Sequence, residues 1–384
     1  MLGIFKKLSI ILLITIFFQP LMIAGAQDFD VNASQAIIME ASTGQVLYAK
    51  NIDDRVEPAS LVKLMSMLLI MEAIEGGEIE LDDVVMTSEN AASKGGSQIW
   101  LEPGERMTVE TLLKTVAVVS ANDSTVALAE YIAGTEDNFV RLMNERAEEL
   151  GLENTQFANS TGLPTDRGEQ YISLRDAAEI GRLLVEYQLV LDLSSIWIEY
   201  IREGASMLRN TNDLIHHYPG ADGLKTGWTS TSGYHLLGTV DRDGFRLLSG
   251  VLGTDSNQIR MEEVIKLLNY GFRAFEFAQL VEEGENMGEI ELPLGIEEEV
   301  EVISSKSLEV VIQRGRRGEI SQSIESHDIS APVEKGQELG ELVFMQEERE
   351  LGRVPLLAAE DVRRAGLWTR FMRWLRGLML SLFR

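Results

Sequence analysis

Ser60 stands three residues before Lys63 in Pro58-Ala59-Ser60-Leu61-Val62-Lys63, which holds the only Ser-x-x-Lys of the chain. Residues three apart on a helix share a face, so the Lys63 amine can reach the Ser60 hydroxyl. A serine hydroxyl is a weak nucleophile near neutral pH and needs an adjacent base. A lysine serves if desolvation or nearby positive charge keeps it neutral. Taken alone, the tetrapeptide reads equally well as a capping serine with a surface lysine. Two further groups could work beside it. Ser120-Ala121-Asn122 falls at a break between helical patterns, where a short loop can present both polar side chains to a cleft, although such residues are also plain helix caps. Lys225-Thr226-Gly227 lies on a strand after Gly223. Its lysine and threonine do not share a face of a flat strand, but the backbone and the Thr226 hydroxyl together can bind a carboxylate while Gly227 lets substrate approach.

Composition narrows the chemistry. There is no cysteine, so thiol nucleophiles, disulfides and cysteine-based zinc sites are excluded. The four histidines, His216, His217, His235 and His327, form no His-Glu-x-x-His pattern, and nothing implies a metal or an organic cofactor. A formal charge of -27 argues against a nucleic-acid partner, which needs a basic surface.

The elements that must position these residues follow from periodicity. Gln35 to Asn51 reads as a strand hairpin. Pro58-Ala59-Ser60 opens a helix whose Leu64, Leu68, Met71 and Ile74 recur at helical spacing up to Gly76-Gly77, placing Ser60 at its N-terminus. Three helical patterns lie between Thr108 and Leu150, and another runs from Ser173 to Tyr187. Strands follow at Leu224 to Thr229, Tyr234 to Val240 and Phe245 to Val251, then a helix from Gln258 to Phe277. Strands at both ends with helices between them predict an α+β domain: a sheet completed by distant segments, packed against a helical subdomain, with the site in the cleft between them.

From Glu282 the texture changes to short alternating strands, predicting an all-β domain over 282–357. The tail, 362–384, carries six arginines and no acidic residue. Drawn as a helix, it sets Leu367, Phe371 and Leu375, with Trp368 and Trp374 beside them, against Arg363, Arg370 and Arg373, the pattern of an interfacial membrane helix. At the other end, Lys6 and Lys7, the apolar run Leu8 to Phe18 and Ala24-Gly25-Ala26 read as a secretory signal, 1–26, cleaved after Ala26. This leaves 27–281 for the catalytic domain of an exported protein.

The three polar groups occur in order, at a helix start, an inter-helix loop and a sheet strand. The set resembles the serine penicillin-recognising enzymes, whose signatures are Ser-x-x-Lys, a Ser-x-Asn type motif and Lys-Thr-Gly. The surrounding Pro58-Ala59-Ser60-Leu61-Val62-Lys63-Leu64-Met65, Ser120-Ala121-Asn122-Asp123, Asn159-Ser160-Thr161-Gly162-Leu163-Pro164 and Asp222-Gly223-Leu224-Lys225-Thr226-Gly227-Trp228-Thr229 are similar to those of the low-molecular-weight penicillin-binding proteins, serine-type D-alanyl-D-alanine carboxypeptidases of the peptidase S11 kind. The resemblance covers about Phe29 to Phe277.

It implies a β-lactamase/transpeptidase-like catalytic fold, stem peptides ending in D-Ala-D-Ala as substrates, and inhibition by β-lactams. Ser60 would attack the carbonyl between the terminal D-alanines, with Lys63 taking its proton and Ser120 relaying one to the leaving amine. Asn122 would bind the peptide amide, and Lys225, Thr226 and Gly227 would form the carboxylate end. The backbone N–H groups of Ser60 and Trp228 would hold the oxyanion. Where the family often has histidine after Lys-Thr-Gly, this chain has Trp228. A small β domain and a C-terminal amphipathic helix at the outer face of the cytoplasmic membrane also fit. Three alternatives fit less well. A class A β-lactamase needs a deacylating glutamate, and neither Glu169 nor Glu179 stands in a Glu-x-x-Leu-Asn setting. A non-catalytic penicillin sensor would need several membrane spans, and a wall-binding module would not need Ser60, Lys63, Ser120 and Lys225 together.

Overall fold

In the computed structural model, residues 29–166 and 168–382 are described, with side chains described only to residue 375 at the C-terminal end. The segment read as a secretory signal, 1–26, lies outside them. The sheet that carries the site is antiparallel, in the order β2-β1-β9-β8-β7. It is built from β1 (Gln35–Glu40) and β2 (Val46–Lys50) at one end of the sequence, and from β7 (Ala221–Thr229), β8 (Gly233–Arg242) and β9 (Phe245–Thr254) at the other. Strand β1 is buried at every position and pairs with β9 in the register Gln35↔Leu252 to Glu40↔Leu247, so the long-range closure expected from sequence is present. A strand covered on both faces reads as a continuous apolar run, as Ala36-Ile37-Ile38-Met39 does.

Between these strands come α1 (Val62–Glu75), the small pair β3 (Val84–Met86) and β4 (Arg106–Thr108), α2 (Glu89–Ala92), α3 (Val109–Val119), α4 (Asn122–Ala133), α5 (Glu136–Glu149), α6 (Leu174–Leu184) and α7 (Gln188–Ser194). A hairpin of β5 (Ile198–Ile201) and β6 (Ser206–Arg209) and the short α8 (Leu214–His217) lead back to the sheet. Helix α1 is buried nearly all round and packs on α3, α4, α5 and α6, so it forms the axis of the core. A helix that is apolar on every side belongs inside a protein. The starts of α3, α5 and α6 follow their caps: Thr108, Thr135 and Ser173 each accept a backbone N–H of the first turn.

Helix α9 (Asn257–Ala274) packs against the sheet. It ends three residues short of the expected Phe277, because Phe275 turns to extended backbone and begins β10 (Phe275–Val281). Alternation replaces helical spacing there: Phe277 packs at 4.9 Å on Phe245 of β9, and β10 pairs with β13 (Leu308–Gln313). Tertiary packing overrides a helical pattern that continues only formally.

The remaining strands are β11 (Asn286–Glu291), β12 (Glu299–Ser304), β14 (Ile320–Ser326), β15 (Glu338–Gln346) and β16 (Arg349–Ala358). They form a second antiparallel sheet, β11-β12-β16-β15-β14, with its own core around Val302, Leu342, Phe344, Val354 and Leu356. Helix α10 (Leu367–Leu382) closes the described chain. Its Arg373 donates to the carbonyls of Gly295 and Ile296 and pairs with Glu298 at 3.0 Å, while Leu367, Trp368 and Trp374 remain exposed. No helix among the described residues is long and apolar enough to cross a membrane.

Candidate active site

Ser60 sits in a single 3-10 turn, Ala59–Leu61, that runs into α1. Ala59 holds a left-handed φ of 49° and is fully packed, an unfavourable geometry for a residue with a Cβ, of the kind that concentrates at functional sites. Two glycines make room for it. A Cβ on Gly162 would stand 1.7 Å from the Ala59 carbonyl oxygen, and one on Gly227 would stand 3.2 Å from the Ala59 Cβ. The turn that carries Ser60 is thus gripped between the 159–164 loop and β7. Gly162→Ala is expected to push this turn aside and lower acylation by about 100-fold or more, since a displacement near 1 Å at a reacting group costs that much. Acylation by a β-lactam at wild-type rate in this variant would show that the grip is dispensable.

Lys63, one turn along α1, is completely buried. Its Nζ lies 3.2 Å from Ser60 Oγ and donates to Asn122 Oδ1 and to the Thr161 carbonyl, both at 2.6 Å. Burial holds the amine well below the usual lysine range. The positive charge of Lys225 adds to this, and Asp123 opposes it. Asn122 has one partner at each end, its Nδ2 donating to the Gly95 carbonyl at 2.6 Å, which leaves one lone pair and one N–H for a further group.

Ser120 caps α3 in the left-handed region, φ 62°, which swings its side chain inward before α4 begins. Its Oγ is buried and has no hydrogen-bond partner. A buried hydroxyl left unpaired costs about 1–3 kcal/mol, so the position favours an incoming polar group. On β7, Lys225 is buried and its Nζ donates only a 3.2 Å contact to the neighbouring Thr226 carbonyl. Burial, reinforced by Arg260, brings its pKa down to about 7. Thr226 Oγ1 donates to Thr211 Oγ1 at 2.9 Å.

Two adjoining cavities meet at Ser60. One, of about 390 Å³, is lined by Ser60, Asn122, Gly162, Leu163 and Trp228 among others. The other, of about 310 Å³, is lined by Ser60, Ser120, Thr211, Thr226, Gly227 and Arg260 among others. Of the residues singled out from the sequence, Ser60, Ser120, Asn122, Thr226, Gly227 and Trp228 line these cavities, while Lys63 and Lys225 are buried and outside the lining, Lys63 bonded to Ser60 and Asn122. Glu169 is exposed and Glu179 pairs with Arg182 at 3.0 Å, and neither lines these cavities.

Arg260 escaped the sequence reading because it lies on α9, where an arginine at helical spacing looks like a solvated face. It is only 5 % exposed and donates to the His235 carbonyl at 3.1 Å. Its Nε is buried without a partner, and burial lowers its pKa to about 10. It lines the second cavity beside Ser120 and Thr226, and its charge acts on the buried Lys225. The loop from Gly95 to Leu101 was missed as well. It is clamped from two sides: Asp123 accepts the N–H groups of Ile99 and Leu101, and Arg202 donates to the Ile99 carbonyl at 2.9 Å while pairing with Glu105 at 2.8 Å.

His235, opposite Gly227 on β8, ties down the Glu57 backbone just before the Ser60 turn. Its Nδ1 accepts from Gly253 N at 3.1 Å, so the proton sits on Nε2, 3.2 Å from the Glu57 carbonyl. Burial, its largest cause, lowers the pKa to about 4. The unfolded chain therefore takes up this proton first as pH falls. Stability is full above about pH 6.5 and declines toward pH 4, by about 2 kcal/mol at pH 5 from this residue. Urea midpoints at pH 7.5 and 5 should differ by less in His235→Gln than in the wild type, and an equal difference would discount the histidine.

The chain matches two protein families: residues 22–256 match that described as D-alanyl-D-alanine carboxypeptidase (peptidase S11), and residues 275–364 that described as penicillin-binding protein 5, C-terminal domain. The D-alanyl-D-alanine carboxypeptidase DacF of Bacillus subtilis is 40% identical over 354 residues, which cover 88% of this chain and 90% of that protein. DacC of Escherichia coli is 31% identical, over 92% of this chain and 90% of its own length. The crystal structure of penicillin binding protein 5 from Haemophilus influenzae superposes with a TM-score of 0.77 at 31% identity, over 87% of this chain and 98% of that one. Penicillin-binding protein D2 from Listeria monocytogenes in its cefotaxime-bound form gives 0.58 at 29% identity, over 63% of this chain and 98% of that one.

Proposed function

The chain belongs to the D-alanyl-D-alanine carboxypeptidase family of serine peptidases, and on that footing we propose that it removes the terminal D-alanine of peptidoglycan stem peptides through an acyl-enzyme on Ser60. The observation that carries this reading is the buried Lys63 amine 3.2 Å from Ser60 Oγ. Lys63 takes the Ser60 proton as Oγ attacks the carbonyl between the two D-alanines. The oxyanion forms against the backbone N–H groups of Ser60 and Trp228. The C–N bond then breaks, the acyl group stays on Ser60, and D-alanine leaves with a proton passed through Ser120. Water, activated in turn by Lys63, releases the shortened peptide. Lys225, Thr226 and Arg260 hold the carboxylate that marks the chain end, Gly227 leaves space for it, and Asn122 offers its carboxamide to the peptide amide while orienting Lys63.

β-Lactams present the same acyl group and carboxylate, and would be captured by the same route. D-alanine release from a diacyl-D-Ala-D-Ala peptide, followed with the wild type and Ser60→Ala, tests the reading. Release is expected only with the serine present, and release by Ser60→Ala would refute it.

The division we propose with it is a catalytic domain over 27–281, a β spacer over 282–357 and an anchoring helix over 362–384, on a protein exported by the signal 1–26. The exposed Leu367, Trp368, Phe371 and Trp374, beside the basic Arg370, favour a peripheral seat on an anionic lipid surface. The mature chain is expected to sediment with phosphatidylglycerol vesicles and a chain ending at Glu360 to stay in solution. Equal sedimentation would place the contact elsewhere.

A further inference from the structure

The segment Asn159-Ser160-Thr161-Gly162-Leu163-Pro164 contributes no side chain to the reaction described above, yet it holds one of the two short contacts to Lys63. We propose that Asn159 is a positioning residue: its carboxamide folds this turn so that the Thr161 carbonyl takes one Lys63 N–H and leaves the amine lone pair facing Ser60.

Three bonds converge on one atom. Asn159 Oδ1 accepts from Thr161 N at 3.1 Å, from Thr161 Oγ1 at 3.1 Å and from Gly162 N at 2.7 Å, while Asn159 Nδ2 donates to the Leu163 carbonyl at 2.8 Å. Asparagine side chains that bond backbone groups two and three residues ahead fix tight turns. This turn is further pinned from outside. Ser66 Oγ, on the same helix as Lys63, donates to the Ser160 carbonyl at 2.8 Å, and Ser160 Oγ donates to Glu136 at 2.9 Å, whose other oxygen pairs with Lys94 at 2.7 Å. The Thr161 carbonyl is thereby held at 2.6 Å from Lys63 Nζ without freedom to rotate away.

The chemical consequence follows from valence. A neutral amine has two N–H donors and one lone pair. Asn122 Oδ1 and the Thr161 carbonyl, both at 2.6 Å, take the donors, and Ser60 Oγ at 3.2 Å is left opposite the lone pair. Without the Thr161 carbonyl the amine can turn an N–H toward Ser60, the wrong polarity for a base. The charged groups that act on Lys63 are Lys225 on β7 and Asp123 on α4, and their hydrogen bonds go to Thr226 and to Ile99, Leu101 and Ser124 rather than to the turn.

This inference rests on Lys63 acting as the base, so the test separates the two. Second-order acylation by benzylpenicillin is measured against pH for the wild type, Asn159→Ala, Asn159→Ser, Ser66→Ala and Lys63→Met, with melting curves for each. Asn159→Ala is expected to acylate about 100-fold more slowly, within the range that general-base catalysis contributes. Its acid limb should move to higher pH, because water admitted to Nζ favours the charged form. Asn159→Ser keeps a side-chain acceptor for the turn and should recover most of the rate. Asn159→Ala within about threefold of wild type, with an unmoved acid limb and Lys63→Met inert, overturns the inference and leaves the base intact. Wild-type acylation by Lys63→Met overturns the base itself. Should Asn159→Ala fail to fold, Ser66→Ala carries the test: about tenfold slower with the same upward shift is expected, and an unchanged profile overturns it.

Discussion

Lys63→Met is expected to lower the acylation rate by about 10³-fold, or roughly 4 kcal/mol of transition-state stabilisation, at the level of general-base catalysis. Methionine fills most of the lysine volume but has no atom to take the Ser60 proton. Burial, and after it the neighbouring Lys225, holds the amine well below its usual range and so favours the neutral form, and the wild-type rate should climb with pH until deprotonation is complete. The variant should lose that climb. Two opposed effects act on its stability. Removing the amine abolishes the desolvation of a buried charge, but leaves Asn122 Oδ1 and the Thr161 carbonyl without their donor, which costs about 1–3 kcal/mol each. Melting should therefore move far less than the rate. Stopped-flow acylation with benzylpenicillin across pH checks the claim, and a pH-dependent rate within tenfold of wild type would remove Lys63 from the base role.

Lys225→Met should separate activity from stability in the other direction. In the folded protein the Lys225 pKa lies at about 7, against the ordinary 10.5, because burial, reinforced by the charge of Arg260, disfavours the ammonium. With its folded value lowered, the unfolded chain binds the proton more tightly, so this residue opposes folding at neutral pH by roughly 4 kcal/mol and stops doing so above about pH 10. Its single 3.2 Å contact to the Thr226 carbonyl returns little of that. The methionine variant is expected to melt several degrees higher at pH 7 while its kcat/KM for a D-Ala-D-Ala peptide falls about 100-fold or more, because the chain-end carboxylate loses its charged partner, an exchange of stability for function of the usual kind. A substrate carboxylate binds the charged form, so the wild-type KM should rise with pH above 7 and that of Lys225→Met should not. A variant that melts lower at pH 7 would mean that the lysine already has a counter-charge.

Much of this was legible in the chain. The three motifs needed only their spacing and their setting at a helix start, an inter-helix break and a strand, and all three converge on Ser60. The sheet could be anticipated because β1 is apolar at consecutive positions and so demanded partners from the far end of the sequence. What stayed hidden has a common physical cause: the relevant group acts through a fold contact that leaves no local pattern. Arg260 looks like a surface residue of α9 until the helix is laid against β8. Asn159 works through backbone carbonyls, whose direction no side-chain pattern reports. Helix α9 was read too far because Phe275 continues its spacing, and only the pairing of β10 with β13 and the contact of Phe277 with Phe245 decide for strand.

The central claim is a covalent bond at one oxygen. Intact mass of the mature chain after mixing with benzylpenicillin, followed by peptide mapping, tests it most directly. A single penicilloyl adduct is expected on the peptide containing Ser60, absent in Ser60→Ala. No adduct on a folded wild-type protein, or an adduct that persists in Ser60→Ala, would contradict it.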